Sequence, residues 1–347
     1  MKPASAEKYT FETGVYRPPS EGGSNSLLVR LTRNCPWNRC TFCGMYKTEK
    51  FQVRSVAEIK QDIDAMAATR DDLAALSRRS GEDGGISHLG AMALIEKYPV
   101  LNNHPGFAML YHWLLSGGKT AFLQDANSLI MKTDHLLEVL AHLRQTFPSI
   151  IRVTSYARSK TLVQKPPDEL KAIRLAGLDR LHVGLESGDD TVLQQIRKGA
   201  TADIHIKGGR KALEAGFELS EYWMPGLGGK AMWQAHAENT ARVLSAIDPH
   251  YIRSRPFRAW PGTPLARDVA EQRVEMLTPA EQLRELRLTV QKLSVSSRVC
   301  FDHVGNYWKD LQGRLLFSHS YQGYQFPQEK QTVLDLIDEG LKVGNRV

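Results

Sequence analysis

The chain has 347 residues, 42% hydrophobic and 24% charged, with a formal net charge of +7. That length supports one large core or two smaller ones, and the composition excludes disordered and fibrous classes. No apolar run reaches the ~18 residues of a membrane span, and no apolar stretch of the secretory kind opens the chain, so a cytoplasmic protein with no membrane partner is expected. The basic residues form no run, which suits a solvated surface better than a nucleic-acid footprint; nucleic acid is possible but not favoured.

The stretch before Leu27 contains Arg17-Pro-Pro-Ser-Glu-Gly-Gly-Ser and reads as an extended arm, 1–26. Leu27 to Arg33 is β-branched and leucine-rich, and reads as a buried strand that ends at the cysteines. Val56 to Leu76 has helical spacing, with Ile59, Ile63, Met66 and Leu73 on one side. Gly81 to Gly118 is punctuated by glycine and reads as an insertion with short helices.

A regular alternation follows. Strands are expected at 120–124, 150–155, 180–185, 217–223 and 251–255. Helices are expected at 134–145, 167–175, 190–196, 202–215 and 231–247, with Gly216 as a C-cap. Alternation at this spacing means βαβ units and a parallel sheet. Six strands between Leu27 and Arg255 suit an incomplete α/β barrel or a doubly wound sheet, and in either fold chemistry sits at the strands' carboxyl ends. Beyond Trp260 a smaller, mainly helical extension, 261–347, is expected. It has a helix from Thr278 to Ser296, capped by Thr278 with Pro279 in its first turn, and a last helix over 328–341. Phe317 to Phe326 reads as loop or edge strand, and Cys300 as a buried small residue in a helix.

Three of the four cysteines fall within nine residues: Cys35-Pro-Trp-Asn-Arg-Cys40-Thr-Phe-Cys43. Thiolates this close read as metal ligands. Three readings stand side by side. They are chance clustering, zinc with a distant fourth ligand such as His88 or His104, and a [4Fe–4S] cluster with one open iron. Absence of a signal peptide argues against disulfides.

This loop, at the end of the first strand of a partial α/β barrel, resembles the radical S-adenosylmethionine (radical SAM) superfamily. The common spacing there is C-x3-C-x2-C, and this chain has C-x4-C-x2-C. The string Gly184-Leu-Glu-Ser-Gly188 resembles the branch that includes Elongator-like and methylthiotransferase-like enzymes. The resemblance implies a partial (βα)6 TIM-type barrel over 27–260, a [4Fe–4S] cluster on Cys35, Cys40 and Cys43, and S-adenosylmethionine (SAM) on its open iron. It implies Phe42 beside the adenine and Asp125 with Asn127 where relatives carry Gly-Gly-Glu for the methionine amino group. It implies Glu186 at the ribose and Lys198 at the methionine carboxylate; Ser155 would meet ribose or substrate. Cleavage of SAM to a 5′-deoxyadenosyl radical, a substrate not identifiable from sequence, and a reductant such as flavodoxin or ferredoxin follow from the same resemblance. Two alternatives stay open: an RNA-modifying enzyme of the superfamily, and a non-catalytic zinc or iron–sulfur protein.

Overall fold

The computed structural model describes residues 6–14, 26–47, 50–79 and 85–344. The Arg17–Ser24 stretch and residues 81–84 of the expected insertion lie outside them.

In chain order the elements are β1 (Ser26–Arg30), β2 (Thr32–Arg33), β3 (Gln52–Val53), α1 (Val56–Arg79), α2 (His88–Lys97), α3 (Pro105–Leu115), β4 (Thr120–Gln124), α4 (Thr133–Thr146) and β5 (Arg152–Ala157). There follow α5 (Ser159–Gln164), α6 (Pro167–Leu175), β6 (Arg180–Glu186), α7 (Asp190–Gln195), α8 (Ala202–Glu214), β7 (Glu218–Trp223), α9 (Gly229–Ile247) and β8 (Tyr251–Ser254). The chain continues through α10 (Pro264–Ala270), α11 (Pro279–Lys292), β9 (Arg298–Cys300), β10 (Tyr324–Gln325) and α12 (Lys330–Gly344). The six strands expected from 27 to 255 are β1 and β4 to β8. Strand and helix alternate, most of the strand pairings are parallel, and the class is the expected α/β one of partial TIM-type barrels.

Four sequence expectations are corrected. The run from Leu27 to Arg33 is two strands, because β1 pairs with β4 in parallel while β2 pairs with β3 antiparallel. The strand expected at 150–155 starts later, since the Ile150 N–H closes a turn onto the Phe147 carbonyl. The helix from Thr278 stops at Lys292, four residues early. Beyond it the Ser294 N–H bonds to the Ser245 hydroxyl, and Ser296 turns both its N–H and its hydroxyl to Asp248. Cys300 lies on β9, not on a helix, where Val299 and Cys300 extend the parallel pairing beside Ile252 and Arg253.

The chain divides into two compact units. The first comprises 1–34, 50–156 and 172–179. In it β1, β4 and β5 run parallel, with Leu28 beside Phe122 and Phe122 beside Thr154. These strands are buried on both faces, which is why they read as continuous apolar runs. Helix α1 forms because its apolar residues recur at helical spacing, and Ile59, Ile63, Met66 and Leu73 are all fully buried. Each contributes about 1.5–3 kcal/mol relative to exposure. Within the expected insertion, α2, α3 and the turn between them pack Leu94, Phe107 and Leu101 against Leu73 and Tyr9.

The second unit comprises 35–49, 157–171 and 180–347. Here β6, β7, β8 and β9 run parallel, and β10 closes the edge antiparallel to β9. Helix α8 packs on α5 and α9, and α11 packs on α9 and α12. Helix α11 starts with a capping box, Thr278 with Glu281, and Pro279 in its first turn. Because the four strands are parallel, their carboxyl ends share one edge. That edge carries Glu186 at the end of β6, the Met224–Gly228 loop after β7, Arg255 after β8 and Asp302 after β9.

Candidate cluster and cofactor site

The cysteine loop belongs to the second unit. Cys35, Cys40 and Cys43 are free and half-buried. Burial pushes the Cys40 thiol up, Lys198 pulls it partly back, and Glu186, Cys43 and Cys35 push it further up. Burial likewise raises Cys43. Cys40 feels the charge of Cys43 and Cys35, and Cys43 that of Cys35, so the three share one neighbourhood. Among the described residues no group of three His, Cys, Asp or Glu side chains is drawn together tightly enough for a metal ion. Tetrahedral ligation of one zinc places sulfurs roughly 3.8 Å apart. A cluster takes each thiolate on a different iron and accepts a wider spacing.

The lengthened gap between Cys35 and Cys40 has a structural use. Trp37 donates its indole N–H to the Arg197 carbonyl at 2.7 Å. Its ring lies so close to Gly199 that a Cβ there would sit 2.4 Å from the indole. Gly199 has φ +72°, a left-handed conformation that glycine adopts without strain. The guanidinium carbons of Arg39 and Arg158 both stand 5.1 Å from the Trp37 ring. Asn38 turns the loop with φ +45°, and its side-chain amide donates to the Tyr46 carbonyl. The Thr41 N–H reaches the Ile196 carbonyl at 2.9 Å, and the Thr41 carbonyl accepts from the Leu265 N–H at 3.0 Å. The loop is thus pinned to the turn that carries Lys198.

Lys198 donates to Glu186 Oε1 at 2.8 Å, and both side chains are largely buried. Burial works against the Lys198 charge, but Glu186 and Cys40 outweigh it and the ammonium is held above its usual range. Glu186 ends β6 in a left-handed conformation, φ +64°, an uncommon one for a residue with a side chain. The β6–β7 register shifts between Gly184 and Glu186. Gly184 makes room for the pair, since a Cβ there would lie 2.2 Å from Glu186 Oε1 and 3.1 Å from Lys198 Nζ. Arg158 donates to the Lys198 carbonyl at 2.9 Å. Burial lowers its pKa while Cys35 and Cys40 raise it, so a second cation lies in the field of the thiols.

Phe42 is half-buried and packs against the apolar cluster of Val192, Leu193, Ile196, Leu227, Phe257 and Leu265. The loop after β7 is held from two sides. Glu285, on α11, accepts the Gly226 N–H at 2.7 Å. His236, on α9, lies 3.1 Å from the Met224 carbonyl through Nε2 and 2.7 Å from the Ser187 hydroxyl through Nδ1. Burial raises Glu285 to about 8 and lowers His236 to about 4. Although they stand 3.5 Å apart, near neutral pH the two meet as an uncharged imidazole and a largely protonated acid, not as an ion pair.

Asp125, Asn127 and Ser155 belong to the first unit. Asp125 is buried, and its carboxylate accepts from Arg30 Nε at 3.0 Å. Arg30 also donates to Glu12 at 2.7 Å. Asn127 is fully buried and leads into the Ser128–Ile130 turn, its N–H on the Asp125 carbonyl at 2.6 Å. The Ser155 hydroxyl is fully buried and bonds to the Tyr156 carbonyl at 3.0 Å. The structure therefore brings the three cysteines, Glu186 and Lys198 together in one unit. It ties Asp125 and Ser155 into the framework of the other.

Residues 111–236 match the family model described as Radical SAM superfamily. That stretch, about a third of the chain, is similar to the radical SAM superfamily. The matched stretch contains Asp125, Asn127, Ser155, Glu186 and Lys198, while the cysteine loop precedes it. No curated protein matches the chain. Among solved structures it is similar to Elp3 of the archaeon Methanocaldococcus infernus, with 11% identity over 71% of this chain and 61% of that one, at a TM-score of 0.48. It is similar to methylornithine synthase, PylB, with 15% identity over 80% of this chain and 67% of that one, at 0.45. It is also similar to the radical S-adenosylmethionine methyltransferase TsrM from Kitasatospora setae, with 17% identity over 78% of this chain and 44% of that one, at 0.47. The chain spans about three fifths of the length of that Elp3 chain.

Sequence reading missed Trp37, His236 and Glu285. Trp37 alone left a trace, as an aromatic placed inside a metal-ligand loop. His205 was missed too. It sits on α8 with Nδ1 at 2.7 Å from the Ser159 hydroxyl, and burial, then Lys198 and Arg158, keep it neutral.

Proposed function

We propose that Cys35, Cys40 and Cys43 hold a [4Fe–4S] cluster and that the chain cleaves SAM reductively to abstract hydrogen from a substrate. Enzymes of the radical SAM class work with that cluster and with SAM. The observation that carries the reading is the gathering of three free thiols, Lys198, Arg158 and the Glu186 strand tip in one neighbourhood. The donor set fits the group, since the thiols are unbridged and two cations offset thiolate charge. When bound, the cluster supplies the electron that breaks a carbon–sulfur bond of the SAM sulfonium, leaving methionine and a 5′-deoxyadenosyl radical.

The chain's own residues orient and shield. Lys198, kept charged by Glu186, is the cation for the methionine carboxylate. Glu186 offers acceptor capacity to the ribose hydroxyls. Arg158 balances the thiolates, and Phe42 presents a ring beside the third cysteine. Electrons come from a flavodoxin or ferredoxin, and the compartment is the cytoplasm.

Metal analysis tests the reading. The anaerobically prepared protein is expected to hold about four irons and four sulfides per chain. Replacing all three loop cysteines by alanine should abolish the iron, while Cys300→Ala should leave it. One zinc and no iron, or a full cluster in the triple variant, would refute it.

A further inference from the structure

The carboxyl-end edge of the second unit carries a basic and aromatic segment that the proposed cofactor site does not use. Leaving β8, the chain runs through Arg255, Arg258 and Trp260. The Arg255 N–H bonds to the Trp223 carbonyl and the Phe257 N–H to the Pro225 carbonyl, so this segment runs beside the loop that follows β7. The Arg255 guanidinium lies 3.9 Å over the Tyr222 ring. That of Arg258 lies 4.4 Å over Tyr307, and both Arg258 and Tyr307 are exposed. Among the described residues Arg258 pairs with no carboxylate. The segment ends against the cysteine loop, because a Cβ on Gly44 would meet the Trp260 ring at 2.7 Å.

The loop after β9 closes over the same edge. Buried Asn306 ties it to the end of β8, accepting from the Ser254 hydroxyl at 2.8 Å and donating to the Ser254 carbonyl at 3.0 Å. His303 on this loop is driven down to about 4, first by burial and then by Arg255, so it adds no charge at neutral pH. The acid beside it, Asp302, is taken by Arg253 at 3.0 Å.

We propose that Arg255 and Arg258 bind an oxyanion, a carboxylate or phosphate, carried by a small-molecule substrate, with Trp260 and Tyr307 as its apolar rim. A planar guanidinium suits either anion through paired hydrogen bonds. The location suits a substrate, since these residues hang from strand ends on the edge that bears Glu186 and next to the loop that bears Cys43. The inference rests on the radical SAM reading for why that edge is the reactive one.

Calorimetry of the anaerobic, cluster-loaded protein at low ionic strength tests it, with inorganic pyrophosphate and citrate as separate probes. At least one should bind, and which one does distinguishes phosphate from carboxylate. Arg258→Gln and Arg255→Gln should each weaken that binding roughly tenfold or more. Arg242→Gln, an exposed arginine on α9, should not. No binding of either probe, or equal loss in Arg242→Gln, overturns the inference. So does Arg258-dependent binding of a 12-nucleotide single-stranded RNA tighter than either probe, which would make the partner a nucleic acid. Failure of wild-type protein to form 5′-deoxyadenosine, with Arg258-dependent anion binding intact, would count against the radical SAM reading alone.

Discussion

The Glu186–Lys198 pair joins what sequence reading kept as two separate SAM contacts. The Lys198 charge is held up by Glu186. Removing one partner of a largely buried pair strands the remaining charge and costs about 3 kcal/mol. Lys198→Met and Glu186→Gln should each lower the denaturation midpoint by that order, and the double variant should recover much of the loss. Glu186→Ala should also weaken SAM binding in equilibrium dialysis. An unchanged SAM dissociation constant would remove Glu186 from the site. The cysteine spacing, the strand-tip glutamate and the lysine twelve residues later were legible because each lies in a short string. The bond between the last two was not, because it needs the β6 register shift and the bare α-carbon of Gly184.

At the scale of elements, the loop after β7 is set by two helices far along the chain. Glu285 is 59 residues from its Gly226 partner and His236 is 12 from Met224. Such partners leave no local pattern, so a helix glutamate and a helix histidine read as ordinary. They do leave a pH signature. Glu285 titrates near 8 when folded and near the ordinary 4.5 when unfolded, so its contribution is full at low pH and is lost as pH rises through 8. His236 works the other way, its contribution full above 6.5 and lost as pH falls through about 4. Between pH 6.5 and 8 only the Glu285 effect operates within this pair. Glu285→Gln keeps an acceptor for Gly226 and removes the titration. Its stability should fall less than that of wild type over that window, by up to about 2 kcal/mol in urea melts. Parallel slopes in the two proteins would show that Glu285 is not held neutral. The same scale explains the missed strand. β9 has three residues, too few for a period to register, and only its pairing beside β8 defines it.

For the whole molecule, the alternation of strands and helices was readable because buried parallel strands are continuous apolar runs and the helices between them show a 3.6-residue period. What the sequence did not disclose was the division into two units, with the cysteine loop grouped with Glu186 and Lys198 and not with the strand it follows. Trp37 explains that grouping, since its partners Arg197 and Gly199 lie about 160 residues away in sequence. The extra residue in the cysteine spacing thus forms part of an anchor. The measurement that bears most directly on the account is 5′-deoxyadenosine formation by the reduced, cluster-loaded protein incubated with SAM under strict anaerobiosis. The account predicts its formation by wild type and its loss when Cys35, Cys40 and Cys43 are replaced by alanine. A protein with its full complement of iron that forms none would contradict it.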